Sequence, residues 1–503
     1  MVAKVKTFAF NGINAIDVTV EVKISYGIVA FYIVGLPDKA VNEAKERVIS
    51  AINSMGLSFP ARRIIVNLTP ADLAKEGSYL DLPIALGILI EMKIIPQDAV
   101  DDYIVMGELS LDSKINPVNG VLLASIAANA RNLGIICPKQ CAGEAVWAGE
   151  DFNILAPCNI LSLINHFKGV QLLSRPENKK QANEIIYPDL KDIVGQTRAK
   201  RALEIAAAGG HNLLMIGPPG TGKSMLAARL PGILPDLTNQ EILNINTIAS
   251  ITGQIRNGEL ITQRPFKDPH HSCSMPAMVG GGTKPRPGQV TLAHKGVLFL
   301  DELPEFQRQV LDSLRQPIET GHVTIARANS HITYPADFQL IAAMNPCRCG
   351  HLMDDFKKCK RAPLCAEEYQ KKLSGPLLDR IDLFVEVPKI DVFKEKEQTQ
   401  YIEESKVVKT RVNIAREIQR QRYNNDLVNT KANGTILDES VRLTPESNQI
   451  LKTAIEKLSL SMRGYNKILK VARTIADLGE EKDVRKEHLL EALRYRNTQS
   501  LLN

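Results

Sequence analysis

Residues 217–224 read Gly217-Pro218-Pro219-Gly220-Thr221-Gly222-Lys223-Ser224, which is the pattern G-x-x-x-x-G-K-S in full. Glycines in such a loop let successive backbone N–H groups curl around phosphate oxygens at the positive end of the following helix. Lys223 would reach the β- and γ-phosphates, and the Ser224 hydroxyl would hold Mg2+. Further along, Asp301-Glu302 closes the apolar run Val297-Leu298-Phe299-Leu300. Acidic residues at the carboxyl end of a buried parallel strand lie where a metal-bound phosphate needs them. Asp301 would complete the Mg2+ shell and Glu302 would polarise the attacking water. Asn345 ends a third apolar run, Leu340-Ile341-Ala342-Ala343-Met344, and its short amide can orient that water. Singly, each feature has an ordinary reading: a chance glycine match, a solvated turn, a turn residue. Together they imply hydrolysis of a nucleoside triphosphate.

A second constellation is sulfur-rich. Four of the eight cysteines crowd into one segment, Cys347, Cys349, Cys359 and Cys365, with His351 among them. Tetrahedral Zn2+ takes four N or S ligands, and a short loop can wrap them around the ion. The single residue between Cys347 and Cys349 makes a tighter bite than the usual C-x2-C pair. The expectation is therefore a structural zinc held by four thiolates with His351 as a bystander; the alternative is four reduced thiols. Buried free thiols are the expectation for Cys137, Cys141, Cys158 and Cys273.

The elements needed to position these groups are legible in the apolar pattern. Leu213-Leu214-Met215-Ile216 leads into the phosphate loop, and the helical stretch Met225–Leu230 leaves it, giving the strand–loop–helix order the chemistry requires. Ahead of this unit, residues 1–165 read as a mixed α/β domain. Val18–Val22 and Ile28–Val34 are β-rich, the second long enough for a buried strand. Val41, Ala44, Val48, Ile52 and Met55 then recur at helical spacing up to Gly56. Residues 166–188 are polar and irregular and read as a linker. A second α/β unit follows over 189–390, and 391–503 are helical in character. The lysines and arginines from Lys406 to Arg422 read as a solvated helix face.

Composition sets the outer bounds. A chain of 503 residues exceeds one core, so several domains are expected. The net charge of +6 permits a polyanionic partner without requiring one. No apolar run approaches the roughly 18–20 residues of a membrane span, and the start lacks a signal-peptide pattern, so the expected location is cytoplasmic.

The sequence resembles a known family. Asp192-Ile193-Val194-Gly195-Gln196, the phosphate loop, and Leu292 to Phe306 around Asp301-Glu302 are similar to the magnesium-chelatase-like AAA+ ATPases, and within them to the ComM/YifB family. Ser374 to Asp382 and Ser461-Met462-Arg463-Gly464-Tyr465 extend the resemblance nearly to the C-terminus. It implies a P-loop AAA+ α/β module with a C-terminal helical lid, using ATP and Mg2+. By the same resemblance Arg380 is an arginine finger acting on ATP in the neighbouring subunit, and Arg463 is a second sensor from the lid. A fixed guanidinium stabilises the charge spread over the γ-oxygens. The other reading of Arg380 is a salt bridge with Asp379 or Asp382. Members carry a similar cysteine cluster, although their second pair is usually closer than Cys359 and Cys365.

Residues 1–165 resemble the proteolytic domain of Lon through Asn67 to Ser78 and through Gly107 to Leu122. Tyr79 falls where the nucleophilic serine is expected, with Ser78 one residue early, and Leu122 stands in place of the lysine. A serine without a base is a weak nucleophile, so a scaffold rather than a protease is expected. His322 to Tyr334 reads as a β-hairpin with Ala328-Asn329-Ser330 at its tip; in the AAA+ clade containing the MCM helicases such a hairpin enters the ring's pore. Pro265 to Arg286 reads as a glycine-rich basic insertion. Lys284, Arg286 and Arg327 are the candidate DNA contacts, with a solvated loop as the alternative. The resemblance implies a homo-oligomeric ring, a hexamer, that remodels single-stranded or branched DNA in branch migration, recombination or natural transformation. The rivals are a magnesium-chelatase ATPase subunit, a transcription-activator-type remodeller, which lacks support because no Gly-Ala-Phe-Thr-Gly-Ala loop is present, and a ring that only clamps DNA or a partner.

Overall fold

The computed structural model describes residues 2–177, 187–255, 258–282, 286–327, 330–350, 352, 359, 361–390, 403–458 and 461–497. They fall into two compact units, Met1–Asn183 with Asn239–Thr262, and Glu184–Thr238 with Gln263–Asn503. The boundaries drawn from sequence miss this exchange: 239–262 leaves the second unit's chain and packs with the first. In the last turn of its helix Asn239–Ile251, the Ser250 hydroxyl donates to Glu144 (2.6 Å) and the Ser250 carbonyl accepts from Gly120 N (3.1 Å). Part of the segment read as a linker, residues 178–186, lies outside the described residues.

The first unit is built on a mixed seven-stranded sheet. Its order is Ala30–Val34, Arg63–Thr69, Asn14–Ser25, Ala3–Asn11, Tyr103–Val105, Gly134–Ile136 and Ile154–Leu155. Helix Lys39–Ser54 buries Val41, Ala44, Val48, Ala51 and Ile52, the spacing expected from sequence, and Gly56 follows its end in the left-handed region at φ +76°. The run ending at Val34 is not the buried strand its composition suggests. Ala30–Val34 is an edge strand, with Ile28 90% and Tyr32 49% exposed while Ile33 is buried. An all-apolar run conceals a period of two, and only alternate residues reach the core. Cys137 and Cys141 are buried as expected, whereas Cys158 is exposed.

The second unit holds a five-stranded parallel sheet in the order Phe266–Lys267, Val297–Leu300, Gln339–Met344, Leu213–Ile216 and Leu383–Glu386. The three central strands are buried along their whole length, as unbroken apolar runs covered on both faces must be. Truncating one such side chain to Ala would cost about 2–5 kcal/mol. Phe266–Lys267 corrects the reading of 265–286 as an insertion: the chain there supplies the sheet's edge strand.

Described residues 403–497 carry helices and no named strand. The basic helix Ser405–Tyr423 is not simply a solvated face. Arg411 pairs with Glu204 (2.5 Å), Arg416 donates to Ala207 O (2.7 Å), and Arg422 pairs with the buried Asp477. These cations satisfy carboxylates and the last carbonyls of helix Thr197–Gly209, and so fasten one helix to another.

Candidate nucleotide site and cysteine knuckle

Three adjacent parallel strands bring the phosphate-site residues together. Leu213–Ile216 delivers Gly217–Ser224, Val297–Leu300 delivers Asp301 and Glu302, and Gln339–Met344, lying between them, delivers Asn345. Gly220 and Gly222 adopt φ +75° and +89°, a region closed to most side chains, and this turns the loop back over its strand. The Lys223 ammonium donates to Gly217 O and Pro218 O (both 2.8 Å) and to Asn345 Oδ1 (3.2 Å). Burial lowers its pKa, opposed by the charges of Asp301 and Glu302. Ser224 Oγ donates to Asp301 Oδ2 at 2.6 Å, joining the two groups expected to hold Mg2+. Thr221 Oγ1 ties back to Pro218 O (3.0 Å).

Glu302 is exposed and sits at φ +50°, strained for a residue with a Cβ. Its N–H donates to Asp301 Oδ1 (2.9 Å), so the bend that frees its carboxylate is fixed by its neighbour. Two groups missed from sequence approach the acidic pair from the edge strand Phe266–Lys267. Asp268 lies near Asp301, its pKa raised by burial and by that charge, and His271 Nδ1 lies 3.8 Å from Glu302 Oε2. Their signal was the Asp268-Pro269-His270-His271 run, but only the strand pairing shows which way it faces.

The two arginines stand apart from this cluster among the described contacts. Arg380 pairs with Glu319 (2.6 Å) rather than with Asp379 or Asp382, and its Nη1 donates to Pro376 O. Asp382 is held by Lys467 (2.9 Å) instead. Arg463 is exposed in the first turn of helix Met462–Leu478.

Next to Asn345, the Sγ atoms of Cys347, Cys349, Cys359 and Cys365 all lie within 4.8 Å of one another. A tetrahedral Zn–S length of about 2.3 Å needs sulfurs roughly 3.8 Å apart, so the donor set fits such an ion. Burial, then the adjacent Cys349 thiol, pushes Cys347 up to about 12, and a bound dication would reverse that preference. His351 lies outside the described residues.

The hairpin expected before Asn345 is present, as His322–Arg327 paired antiparallel with Ser330–Pro335. Ala328 and Asn329 at its tip, and Lys284, lie outside the described residues. Arg286 is exposed on a small ribbon with Gly280–Gly281, and Gly280 abuts Ile325 of the hairpin. No described helix is long and apolar enough to cross a membrane.

A parallel P-loop sheet with an acidic strand end and a polar strand end beside the loop defines the chain as an ATPase of AAA+ type, using ATP and Mg2+. Family models described as "Magnesium chelatase, subunit ChlI", "Subunit ChlI of Mg-chelatase" and "Magnesium chelatase, subunit ChlI C-terminal" match residues 189–395, 20–141 and 402–496. Competence protein ComM of Haemophilus influenzae is 43% identical over 98% of this chain and 97% of its own. YifB of Escherichia coli is 42% identical over 99% and 97%. The chain belongs to the ComM/YifB family of magnesium-chelatase-like proteins. The magnesium-chelatase subunit ChlI of Olisthodiscus luteus is 26% identical over only 33% of this chain.

Proposed function

We propose that this ATPase is a DNA-remodelling motor, a hexameric ring helicase that promotes branch migration in recombination or natural transformation. The observation that carries the reading is the hairpin His322–Arg327/Ser330–Pro335, inserted between the strand bearing Asp301-Glu302 and the strand ending at Asn345. A projection rooted between two hydrolytic strands moves when they respond to the γ-phosphate. Arg286, Lys284 and Arg327 would meet DNA phosphates, and the name of one relative links it to competence.

In this reading Lys223 and the loop amides bind the phosphates, Ser224 and Asp301 hold Mg2+, and Glu302 activates water that Asn345 orients. Arg380 leaves Glu319 to reach ATP on the next subunit, and Arg463 senses the γ-phosphate from a lid formed by 391–503. The first unit is a Lon-like domain serving as scaffold, and the four cysteines hold a structural Zn2+. The second reading, an ATPase subunit of a magnesium-chelatase-type complex, is favoured by the family descriptions. It is disfavoured by the third of the chain over which relatives of that name align.

Arg327→Ala tests the hairpin. The ratio of DNA-stimulated to basal ATPase should fall severalfold, and unwinding with it, because each subunit of the ring loses one phosphate contact. A mutant with normal stimulation and normal strand separation would remove the hairpin from the mechanism.

A further inference from the structure

We infer that the cysteine knuckle controls ATP turnover, because its first turn, Cys347–Gly350, buttresses both the phosphate loop and the amide that meets Lys223. The inference rests on the reading of the four thiols as a metal site. Three contacts carry it. Gly350, at φ +79°, lies so close to the phosphate loop that a Cβ there would come within 2.6 Å of Pro219 Cδ and 3.0 Å of its Cγ. Asn345, the partner of the Lys223 ammonium, stands two residues before the fully buried Cys347. Pro346 O accepts from Gln370 Nε2 (3.1 Å), and Gln370 ends the helix Leu364–Gln370 that carries Cys365. The same helix buries Tyr369, over whose ring sits Lys372, and Lys372 pairs with Glu305 (3.4 Å), three residues past Glu302. Both halves of the thiol cluster therefore border the nucleotide site, one through the loop and sensor amide, the other through the acidic strand end.

Among the described residues no helix or strand spans 345–363, and the turn Cys347–Gly350 is closed by the bond from Gly350 N to Cys347 O (2.9 Å). A closed tetrahedral ion would hold Cys347–Gly350 at one distance from Pro219. Four neutral thiols would let it drift, and Asn345 with it. Metal occupancy thus acts on hydrolysis without any metal ligand touching ATP.

The test compares metal content, binding of a fluorescent ATP analogue and steady-state turnover in the full chain. Wild type purified without chelator should hold about one zinc per chain. Cys359→Ser/Cys365→Ser should lose it and lose at least tenfold in kcat. Gly350→Ala should keep the metal yet bind the analogue and turn over several-fold worse, because the new methyl displaces Pro219. Stripping zinc from wild type with a thiol reagent and restoring it after reduction should lower and then recover the rate, which guards against a misfolded double variant. Zinc-free protein that hydrolyses ATP at the full rate, or Gly350→Ala with normal binding and turnover, would overturn the coupling while leaving the metal site standing. Wild type devoid of metal would overturn the metal reading itself, and this inference with it.

Discussion

The polar cluster around Ser78 in the first unit and the one around Lys223 in the second use the same residue types, yet they leave different things open. In the first, Ser78 Oγ donates to Glu108, and Lys75, with no exposed surface, donates to Pro70 O. Asp81 is gripped by Arg47 through two bonds (2.6 and 2.9 Å) and by Leu109 N (3.2 Å). Tyr79 and Leu122 are buried, and Leu122 N faces Ser250 Oγ (3.3 Å) and Glu144 (3.4 Å), so the helix start there is capped by the exchanged segment. In the second, Ser224 and Glu302 are exposed, and a methyl added at Gly220 would meet nothing within 4 Å. A network whose donors and acceptors are mutually satisfied and buried stabilises a fold. One that ends in exposed groups around an open loop can accept a ligand. The described bonds of the first cluster close on one another, while the second ends in exposed groups beside an open loop.

Mutations should separate the two clusters sharply. Lys223→Ala has the largest expected effect, loss of measurable nucleotide binding by calorimetry. Glu302→Gln should still bind ATP while turnover drops about 10²–10⁴-fold, the usual worth of a general base. Retention of wild-type turnover would reassign the base. In the first unit, Asp81→Asn weakens the ion pair between this fully buried carboxylate and the half-buried Arg47 and should lower stability by up to about 3–5 kcal/mol in denaturant titration, with the nucleotide site intact.

Acid should act on the second unit through its histidines. Burial lowers His211 to about 4, partly offset by Asp382, and His294 likewise to about 4. Unfolded histidine titrates near 6.5. Between those values the unfolded chain binds more protons, so stability falls as pH drops from about 6.5 towards 4, by up to roughly 3 kcal/mol per site. Calorimetry at stepped pH should show the loss, and His211→Gln should shrink it. The smallest effect is expected from Ser78→Ala, with ATPase activity within about twofold of wild type; a large loss there would mean that the first unit's cluster takes part in turnover.

Sequence disclosed those features whose chemistry is local. Leu213–Ile216 and Val297–Leu300 have the bounds their apolar runs suggest, and the hairpin follows its alternation on both arms. Lys223, Ser224, Asp301 and Asn345 meet because parallel strands with short polar ends leave them little choice. What sequence concealed depends on which surface an element meets. The helix Asn239–Ile251 carries no mark that it belongs with the first unit. The apolar content of Ile28–Val34 does not reveal an edge strand. Asp268 and His271 reach the acidic pair only because Phe266–Lys267 joins the sheet beside Val297–Leu300. Arg411, Arg416 and Arg422 look like a charged face until their partners, distant in sequence, are seen.

The most direct measurement follows a labelled four-way junction with wild type and Glu302→Gln in Mg-ATP. Wild type should convert the junction to duplex products and hydrolyse ATP faster in its presence, whereas Glu302→Gln should bind ATP and leave the junction intact. Brisk ATP hydrolysis by wild type, unaffected by branched or single-stranded DNA and with the junction unchanged, would contradict the proposed DNA-remodelling motor.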